Sequence, residues 1–242
     1  MIVYGRNAVR EAIRGSRTVG RIWATRNTMR EAWLRAPRLD VGEATAEEIE
    51  RRCGSDGHQG VCAEVSEFVY ADAAALLEDG RSGSLLAVLD QVQDPQNLGS
   101  ICRSAECAGA LGVVLPERRA AAVTPAVCKA SAGAVEHLQV AHVRNLADFL
   151  ADAKASGFWC YGADADGRVD YRDVDFSGPA VLVLGSEGRG LRPRVAASCD
   201  ALISLPLRGR IESLSVGAAA AVLLYAASAP RSEGATRRRT TG

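Results

Sequence analysis

Short apolar runs alternate with helical stripes along most of the chain. The run at residues 85–89 has no polar interruption, as expected for a strand buried on both faces of a sheet. A helical stripe at 97–108 follows it, and the alternation continues to residue 227. This pattern predicts an α/β fold with a parallel sheet covered by helices. The further strands are predicted at 112–115, 138–143, 159–163, 180–184 and 201–205, and the further helices at 125–132, 146–155 and 213–227.

The first 68 residues have a different pattern and predict a small mixed unit. A helical stripe at 7–14 ends at Gly15, and short strands are predicted at 21–25 and 60–65. Thr45 can cap a helix that runs to residue 52, with Glu48 completing a capping box. A linker with one small helix at 71–77 follows.

The domain boundaries follow from composition. We predict a small mixed domain at 1–68, a linker at 69–83, a larger α/β domain at 84–229 and a disordered polar tail at 230–242. The longest apolar segment, 216–229, is too short to span a bilayer. The N-terminus does not resemble a signal peptide, so we expect a protein without a membrane anchor.

The seven cysteines are odd in number and form no C-x-x-C pair. This excludes a zinc ribbon or a thioredoxin-like site, and we expect no metal. Buried free thiols in a reducing cytoplasm fit the pattern. Net charge is zero, and every cation except Lys129 and Lys154 is arginine. Arginine suits phosphate contacts, but a GC-rich genome explains the same bias, so charge alone does not decide whether the chain binds a nucleic acid.

Polar or glycine-rich loops follow three predicted strands, where an open parallel sheet binds its ligands. In the first loop, residues 94–103, Asn97 can cap the new helix and Arg103 lies less than two turns further on, so both side chains can reach one pocket. A capping asparagine and an arginine paired with a carboxylate would explain the same residues.

The second loop, residues 184–191, contains three glycines that permit close approach of the backbone to a ligand. It fits neither the phosphate-loop nor the dinucleotide pattern. Glu187 suits a cationic ligand such as a sulfonium or an amino group. A plain strand-to-helix turn is the alternative. The third loop, 205–215, leads into the small residues 216–221, which indicate close helix packing as well as helix propensity.

In this order, the three loops resemble the motifs of the SpoU/TrmH family of RNA ribose 2′-O-methyltransferases, in the SPOUT superfamily. Residues 4–12, 58–61 and 129–136 resemble the branch that methylates a guanosine in the peptidyl-transferase region of 23S rRNA. The resemblance covers nearly the whole chain. It implies S-adenosylmethionine as the cofactor and RNA as the partner.

The resemblance also implies features that periodicity does not predict. The α/β domain is expected to end in a deep trefoil knot, an exception to the usual topology rules. The N-terminal domain, residues 1–68, is expected to be L30e-like and to bind the RNA substrate. The enzyme is expected to be a homodimer that packs through its knotted domains, with each active site near the partner subunit.

Matched to the family motifs, Arg103 is the catalytic arginine, Asn97 the motif-one asparagine, Glu187 the motif-two glutamate and Ser213 the motif-three serine. The resemblance implies that this arginine removes the proton of the ribose hydroxyl with help from a substrate phosphate. Arginine stays protonated at neutral pH, however, and a nearby phosphate favours its charged form. The proton acceptor is therefore left open between Arg103 and a second group or water.

The cofactor positions implied by the resemblance are Gly185, Leu205 and Leu214, whose backbone holds S-adenosylmethionine in a bent pose. One catalytic position departs from the family pattern. Ser215 stands where the family usually has asparagine, so it keeps a hydroxyl but lacks the reach of an amide.

Several alternatives remain open. The same chemistry could act on a tRNA or on the rRNA site of a ribosome-targeting antibiotic. Ser215 also leaves open a catalytically idle RNA-binding or ribosome-assembly protein, whereas the absent G-x-G-x-x-G disfavours a nicotinamide dehydrogenase. His58 is interpreted as a loop residue or an RNA contact, and His137 and His142 as structural or surface residues.

Overall fold

The structure is a computed structural model that describes residues 1–78, 80, 83–211 and 213–228. The described chain forms a four-stranded sheet near the N-terminus and a seven-stranded sheet after it. The predicted tail and part of the glycine- and serine-rich boundary lie outside the described residues. No described helix has the length and hydropathy needed to cross a bilayer.

The N-terminal unit surrounds a sheet with the strand order β1-β4-β2-β3. Its elements are β1 (Ile2–Tyr4), α1 (Arg6–Arg14), β2 (Val19–Ala24), β3 (Val41–Glu43), α2 (Ala46–Cys53) and β4 (Val61–Val65). The predicted α1, β2, α2 and β4 are confirmed, whereas the two three-residue strands β1 and β3 were not predicted. The capping box is also confirmed, because Thr45 and Glu48 each accept a hydrogen bond from the other's backbone N–H.

The larger unit contains a sheet with the order β7-β6-β5-β10-β8-β11-β9, in which every pairing is parallel. Its strands are β5 (Leu85–Leu89), β6 (Gly112–Pro116), β7 (Gln139–Val143), β8 (Trp159–Ala163), β9 (Val169–Asp170), β10 (Ala180–Leu184) and β11 (Ala201–Ser204). Its helices are α3 (Ala73–Glu78), α4 (Pro95–Cys107), α5 (Pro125–Ala130), α6 (Leu146–Ala155), α7 (Pro193–Ser198) and α8 (Val216–Ser228). The predicted parallel α/β fold is confirmed.

Both faces of the seven-stranded sheet are covered. Leu85, Ala87 and Leu89 contribute to the core beneath α4, α5 and α8, while Leu86 and Val88 contribute to the core beneath α3, α6 and α7. Burial on both faces explains why β5 is an uninterrupted apolar run. The trefoil knot and the L30e-like fold remain predictions from the family resemblance.

Small residues bring α4 close to both of its neighbours. A Cβ atom on Gly99 would lie 2.4 Å from the Cβ of Ala130 in α5, and one on Gly217 would lie 2.8 Å from the Ser100 hydroxyl. The small residues at the start of α8 therefore serve close packing as well as helix propensity.

Four helix boundaries differ from the prediction by two residues or more: the starts of α3, α4 and α8 and the end of α5. α5 ends at Ala130 instead of 132, because Ala132 and Gly133 have φ angles of 54° and 88° that a right-handed helix does not allow. α8 begins at Val216 instead of 213, so Ser213 and Leu214 belong to the preceding loop. The short elements β9 and α7 were not predicted.

Four of the seven cysteines are buried free thiols. Cys62, Cys102, Cys128 and Cys160 are buried and unpaired, as predicted, whereas Cys107 is exposed. Burial raises the pKa of Cys102 and of Cys160 to about 12, which keeps these thiols protonated and unreactive at neutral pH.

Each of the three histidines contacts another group of the folded chain. His58 is buried and its Nδ1 accepts a hydrogen bond from the N–H of Gly60, which supports the loop interpretation. The ring of His142 stacks on Tyr70. His137 lies 3.0 Å from a carboxylate oxygen of Glu11, between the two units.

The seam between the two units contains a buried ion pair. Arg17 of the first unit lies 3.0 Å from Glu136 of the second, and their side chains are 6% and 0% exposed. Arg17 also donates to the carbonyl oxygen of Ser66. Burial raises the pKa of Glu136 although Arg17 opposes that shift. The pair therefore joins the units at a cost in desolvation.

We expect Arg17→Met to lower the free energy of unfolding by about 3–5 kcal/mol at pH 7.5, because it leaves a buried carboxylate without its cation. Glu136→Gln, the matched variant, should cost less, since Arg17 keeps the Ser66 carbonyl as an acceptor. A carboxyl group whose pKa is raised by folding lowers the stability of the folded state at high pH, and this loss of stability shrinks as the pH falls. The deficit of Arg17→Met relative to Glu136→Gln should thus shrink at pH 5.5. Urea unfolding at both pH values tests this, and an equal deficit would contradict it.

Candidate active site

A cavity of about 330 Å³ lies at the carboxyl ends of β8, β10 and β11, within the range of about 300–1,000 Å³ typical of small-molecule sites. It is lined by residues 163–165 at the end of β8, by residues 184–188 and 190 of the second loop, and by residues from β11 and the third loop. Val216, Ala219 and Leu223 of α8 complete the wall. Two of the three predicted loops thus meet at one site.

Five of the eight candidate residues are among the described residues that line this cavity: Gly185, Glu187, Leu205, Ser213 and Leu214. Asn97, Arg103 and Ser215 are not part of that lining. The first loop lies next to the cavity without lining it, because α4, which carries Asn97 and Arg103, packs against α8.

The second loop folds back on itself. The N–H of Ser186 donates to the carbonyl of Gly190, and the N–H of Gly190 donates back to Ser186. A Cβ atom on Gly185 would lie 2.2 Å from the carbonyl carbon of Gly190, a distance no side chain tolerates. Gly188 and Gly190 have φ angles of 78° and 62°. Glycine is therefore required for this loop closure.

A buried carboxylate fixes the end of the second loop. Asp90, at the end of β5, has a fully buried side chain that accepts hydrogen bonds from the backbone N–H and the Nε of Arg192, at 2.8 and 2.7 Å. This pair was not predicted from the sequence. The one available signal was an aspartate directly after a buried strand.

The first turn of α8 is capped by two side chains. The Ser215 hydroxyl accepts a hydrogen bond from the N–H of Ala218, and a carboxylate oxygen of Glu187 accepts one from the N–H of Val216. Both contacts satisfy donors that a helix N-terminus leaves free. The negative charge of Glu187 is also favoured by the helix dipole. Glu187 thereby links the second loop to the third.

The first loop differs from the prediction at its helix cap. Asp94, and not Asn97, caps α4, because its carboxylate accepts hydrogen bonds from the N–H groups of Gln96 and Asn97. The predicted capping role of Asn97 is wrong. Its amide oxygen instead lies 3.7 Å from the position of a Cβ atom on Gly217, against the first turn of α8.

Arg103 is exposed on α4. Within the described ranges no carboxylate pairs with it, so the alternative of a structural ion pair is not supported. Its guanidinium is available to a ligand from solvent.

The cavity combines apolar walls with two carboxylates. Asp164 and Glu187 are the charged residues among its described lining, and seven of the other fifteen lining residues are leucine, isoleucine or valine. This surface fits an organic cation with an apolar body. Asp164 was missed by the sequence analysis, although it follows β8 at the carboxyl edge where ligands are expected. Among the described residues, no group of three potential ligands could hold a metal ion.

Two family models together match most of the chain. The model described as the SpoU rRNA Methylase family matches residues 84–225. The model described as RNA 2'-O ribose methyltransferase substrate binding matches residues 2–71. The chain belongs to the SpoU rRNA methylase family. The predicted SpoU/TrmH membership is therefore confirmed.

Relatives of this SpoU protein agree on the reaction class. A Bacillus subtilis protein named YacO, assigned to the TrmH family of tRNA/rRNA methyltransferases, is 39% identical over 92% of this chain and 93% of its own. The SpoU methyltransferase AviRb of Streptomyces viridochromogenes, solved with S-adenosylmethionine (AdoMet), has a TM-score of 0.78 at 26% identity, covering 94% of this chain and 89% of AviRb.

An AdoMet-bound rRNA methyltransferase of Sinorhizobium meliloti has a TM-score of 0.75 at 28% identity, covering 93% of this chain and 85% of that one. The SpoU protein described here is thus an RNA methyltransferase that uses AdoMet. The acidic and apolar cavity fits such a cofactor, because AdoMet, with a sulfonium, an ammonium and one carboxylate group, has a net positive charge.

We expect Gly185→Ala to weaken AdoMet binding at least about tenfold, about 1.4 kcal/mol, because the added methyl group collides with the backbone of Gly190. Gly178→Ala is the matched control, since a Cβ atom there meets no atom within 4 Å. Calorimetric titration with AdoMet measures both variants. Equal affinity of Gly185→Ala and the control would contradict the role of this closure.

Proposed function

We propose that this chain transfers a methyl group from AdoMet to the ribose 2′-hydroxyl of a guanosine in 23S rRNA. The observation that carries the proposal is the acidic cavity in which Glu187 joins the second loop to the start of α8. The match of residues 2–71 to a family model for substrate binding by RNA 2′-O ribose methyltransferases supports the ribose 2′-oxygen as the atom that is methylated. The resemblance of residues 4–12, 58–61 and 129–136 to the 23S rRNA branch supports the target.

We assign RNA recognition to residues 1–68 and the chemistry to residues 84–229. Free buried thiols are consistent with a reaction in the cytoplasm. A tRNA and an antibiotic-resistance site in rRNA remain the competing targets, because the relatives named above include tRNA/rRNA methyltransferases.

We assign cofactor binding to the backbone of Gly185, Leu205 and Leu214, with the carboxylates of Asp164 and Glu187 facing positive charge. AdoMet supplies a methyl group already activated by its sulfonium. The protein then has to hold the ribose hydroxyl in line with that methyl group, and such orientation lowers barriers by roughly 7–11 kcal/mol in favourable systems.

We assign Arg103 to binding of the substrate RNA. An exposed guanidinium without a carboxylate partner can form paired hydrogen bonds with a phosphate and stabilise charge that develops on the ribose oxygen. Arginine holds its own proton at neutral pH, so we assign proton removal to a second group or to water. Asn97 and Ser213 are assigned to positioning of the ribose, as neutral groups that donate and accept hydrogen bonds.

We further propose that the active form is a homodimer packed through α8. Ala218, Val222 and Tyr225 recur on one face of this helix and are all exposed. Val222 and Tyr225 are 39% and 55% exposed, and Leu214 in the adjacent loop is 45% exposed. An apolar stripe of this kind is typical of a subunit interface. A second copy packed there lies next to the third loop of the active site.

Deletion of the gene should remove one 2′-O-methyl group from 23S rRNA. The wild-type chain should restore this group, and Arg103→Ala should not, although it should bind AdoMet with unchanged affinity because Arg103 does not line the cavity. Mass-spectrometric mapping of 23S rRNA and tRNA from the three strains tests this. A group lost from tRNA alone would refute the rRNA target, and restoration by Arg103→Ala would refute the role of Arg103.

The double variant Val222→Asp/Tyr225→Asp should be monomeric, because two carboxylates cannot be buried without partners in an interface. Sedimentation equilibrium measures its mass beside that of wild type. Val69→Asp is the control, since Val69 is 82% exposed in the linker region. A double variant that sediments as wild-type dimer would exclude the α8 interface, as would a monomeric wild type.

A further inference from the structure

We propose that Arg118 and Arg119, in the loop between β6 and α5, bind a phosphate of the substrate RNA next to the active site. The inference rests on the proposed function only in taking RNA as the substrate. It adds a second basic contact, on a different loop from Arg103.

The loop lies at the correct edge of the sheet. β6 pairs in parallel with β5, so the segment after β6 and the first motif loop after β5 leave the sheet at the same edge. A hydrogen bond joins the two segments, because the N–H of Ala121 donates to the carbonyl of Val92 at 2.9 Å. Val92 lies two residues before Asp94, the cap of α4. The arginine pair therefore adjoins the motif that carries Asn97 and Arg103.

The loop is held at its other end as well. The N–H of Val123 donates to the hydroxyl of Tyr70 at 2.9 Å, and the ring of Tyr70 stacks on His142 with centroids 3.9 Å apart. Contacts at both ends restrict the backbone between them. A cation presented by a restrained backbone loses less conformational entropy when it binds a ligand.

Neither arginine serves an evident purpose within the folded chain. Both side chains are exposed, and no carboxylate in the part of the chain that the structure describes pairs with them. The adjacent Glu117 lies instead 3.9 Å from Arg144. Arg119 also has a φ of 62°, which costs free energy in any residue with a Cβ atom. Residues held in sparsely populated backbone conformations cluster at active sites and ligand-binding segments.

The charge of the cavity points to the same role for the loop. Asp164 and Glu187 attract the positive cofactor but repel RNA phosphates. The chain has no net charge to hold RNA unspecifically, so its phosphate contacts have to come from local groups of cations. Arg118 and Arg119 form such a group beside the first motif loop.

Binding of a transcript of the peptidyl-transferase region of 23S rRNA, measured by fluorescence anisotropy over a range of salt concentrations, tests the pair. Each phosphate contact adds about 0.7–0.9 to the slope of log K against log salt concentration. We expect Arg118→Ala and Arg119→Ala each to reduce the slope by about that amount, and the double variant to bind at least about tenfold more weakly. AdoMet affinity should be unchanged.

Arg194→Ala is the matched control, because Arg194 is 76% exposed on α7, across the sheet from α4 and α5. Its slope should equal that of wild type. An unchanged slope and affinity in the double variant would overturn the assignment. Methylation of the same transcript by wild type is scored separately: if the transcript stays unmethylated, the proposed rRNA target fails, while the binding comparison still decides the role of the arginines.

Discussion

The cavity depends on the hydrogen bond between the Glu187 carboxylate and the N–H of Val216, which joins two loops that are 29 residues apart in the chain. It fixes the start of α8 as one wall of the cavity and directs a negative charge toward the site. The contact needs a loop that turns back sharply, which Gly185 permits, and an anchored end, which the Asp90–Arg192 pair provides. Cofactor binding and helix capping therefore rely on the same few residues.

Charge is divided between the cavity and its surroundings. The described cavity lining carries carboxylates and no cations, whereas Arg103, Arg118 and Arg119 are exposed outside it. An RNA methyltransferase has to bind a cation and a polyanion side by side. Separation of the two signs lets each ligand be attracted without repelling the other. A net charge of zero is thus compatible with RNA binding, which composition alone could not establish.

Most of the fold could be predicted because apolar periodicity reports burial directly, and β5, β8, β10 and α6 were predicted to the residue. Elements of two or three residues, such as β3 and β9, have no periodicity to detect. The cap of α4 was misassigned because Asp94 and Asn97 both suit a helix N-terminus, and only the backbone shows which one precedes the first turn. The Asp90–Arg192 pair spans 102 residues, and no local pattern encodes such a contact.

The departure of Ser215 from the family asparagine has a simple structural interpretation. Serine and asparagine are both strong N-cap residues, and Ser215 caps α8 through the N–H of Ala218. The substitution therefore preserves the start of the helix on which the third loop and the cavity wall depend. What it removes is the reach of an amide beyond the cap, a loss that concerns contacts with the substrate and not the architecture of the site. Because the cavity, its carboxylates and the exposed Arg103 are all present, Ser215 gives no structural support to a catalytically idle protein.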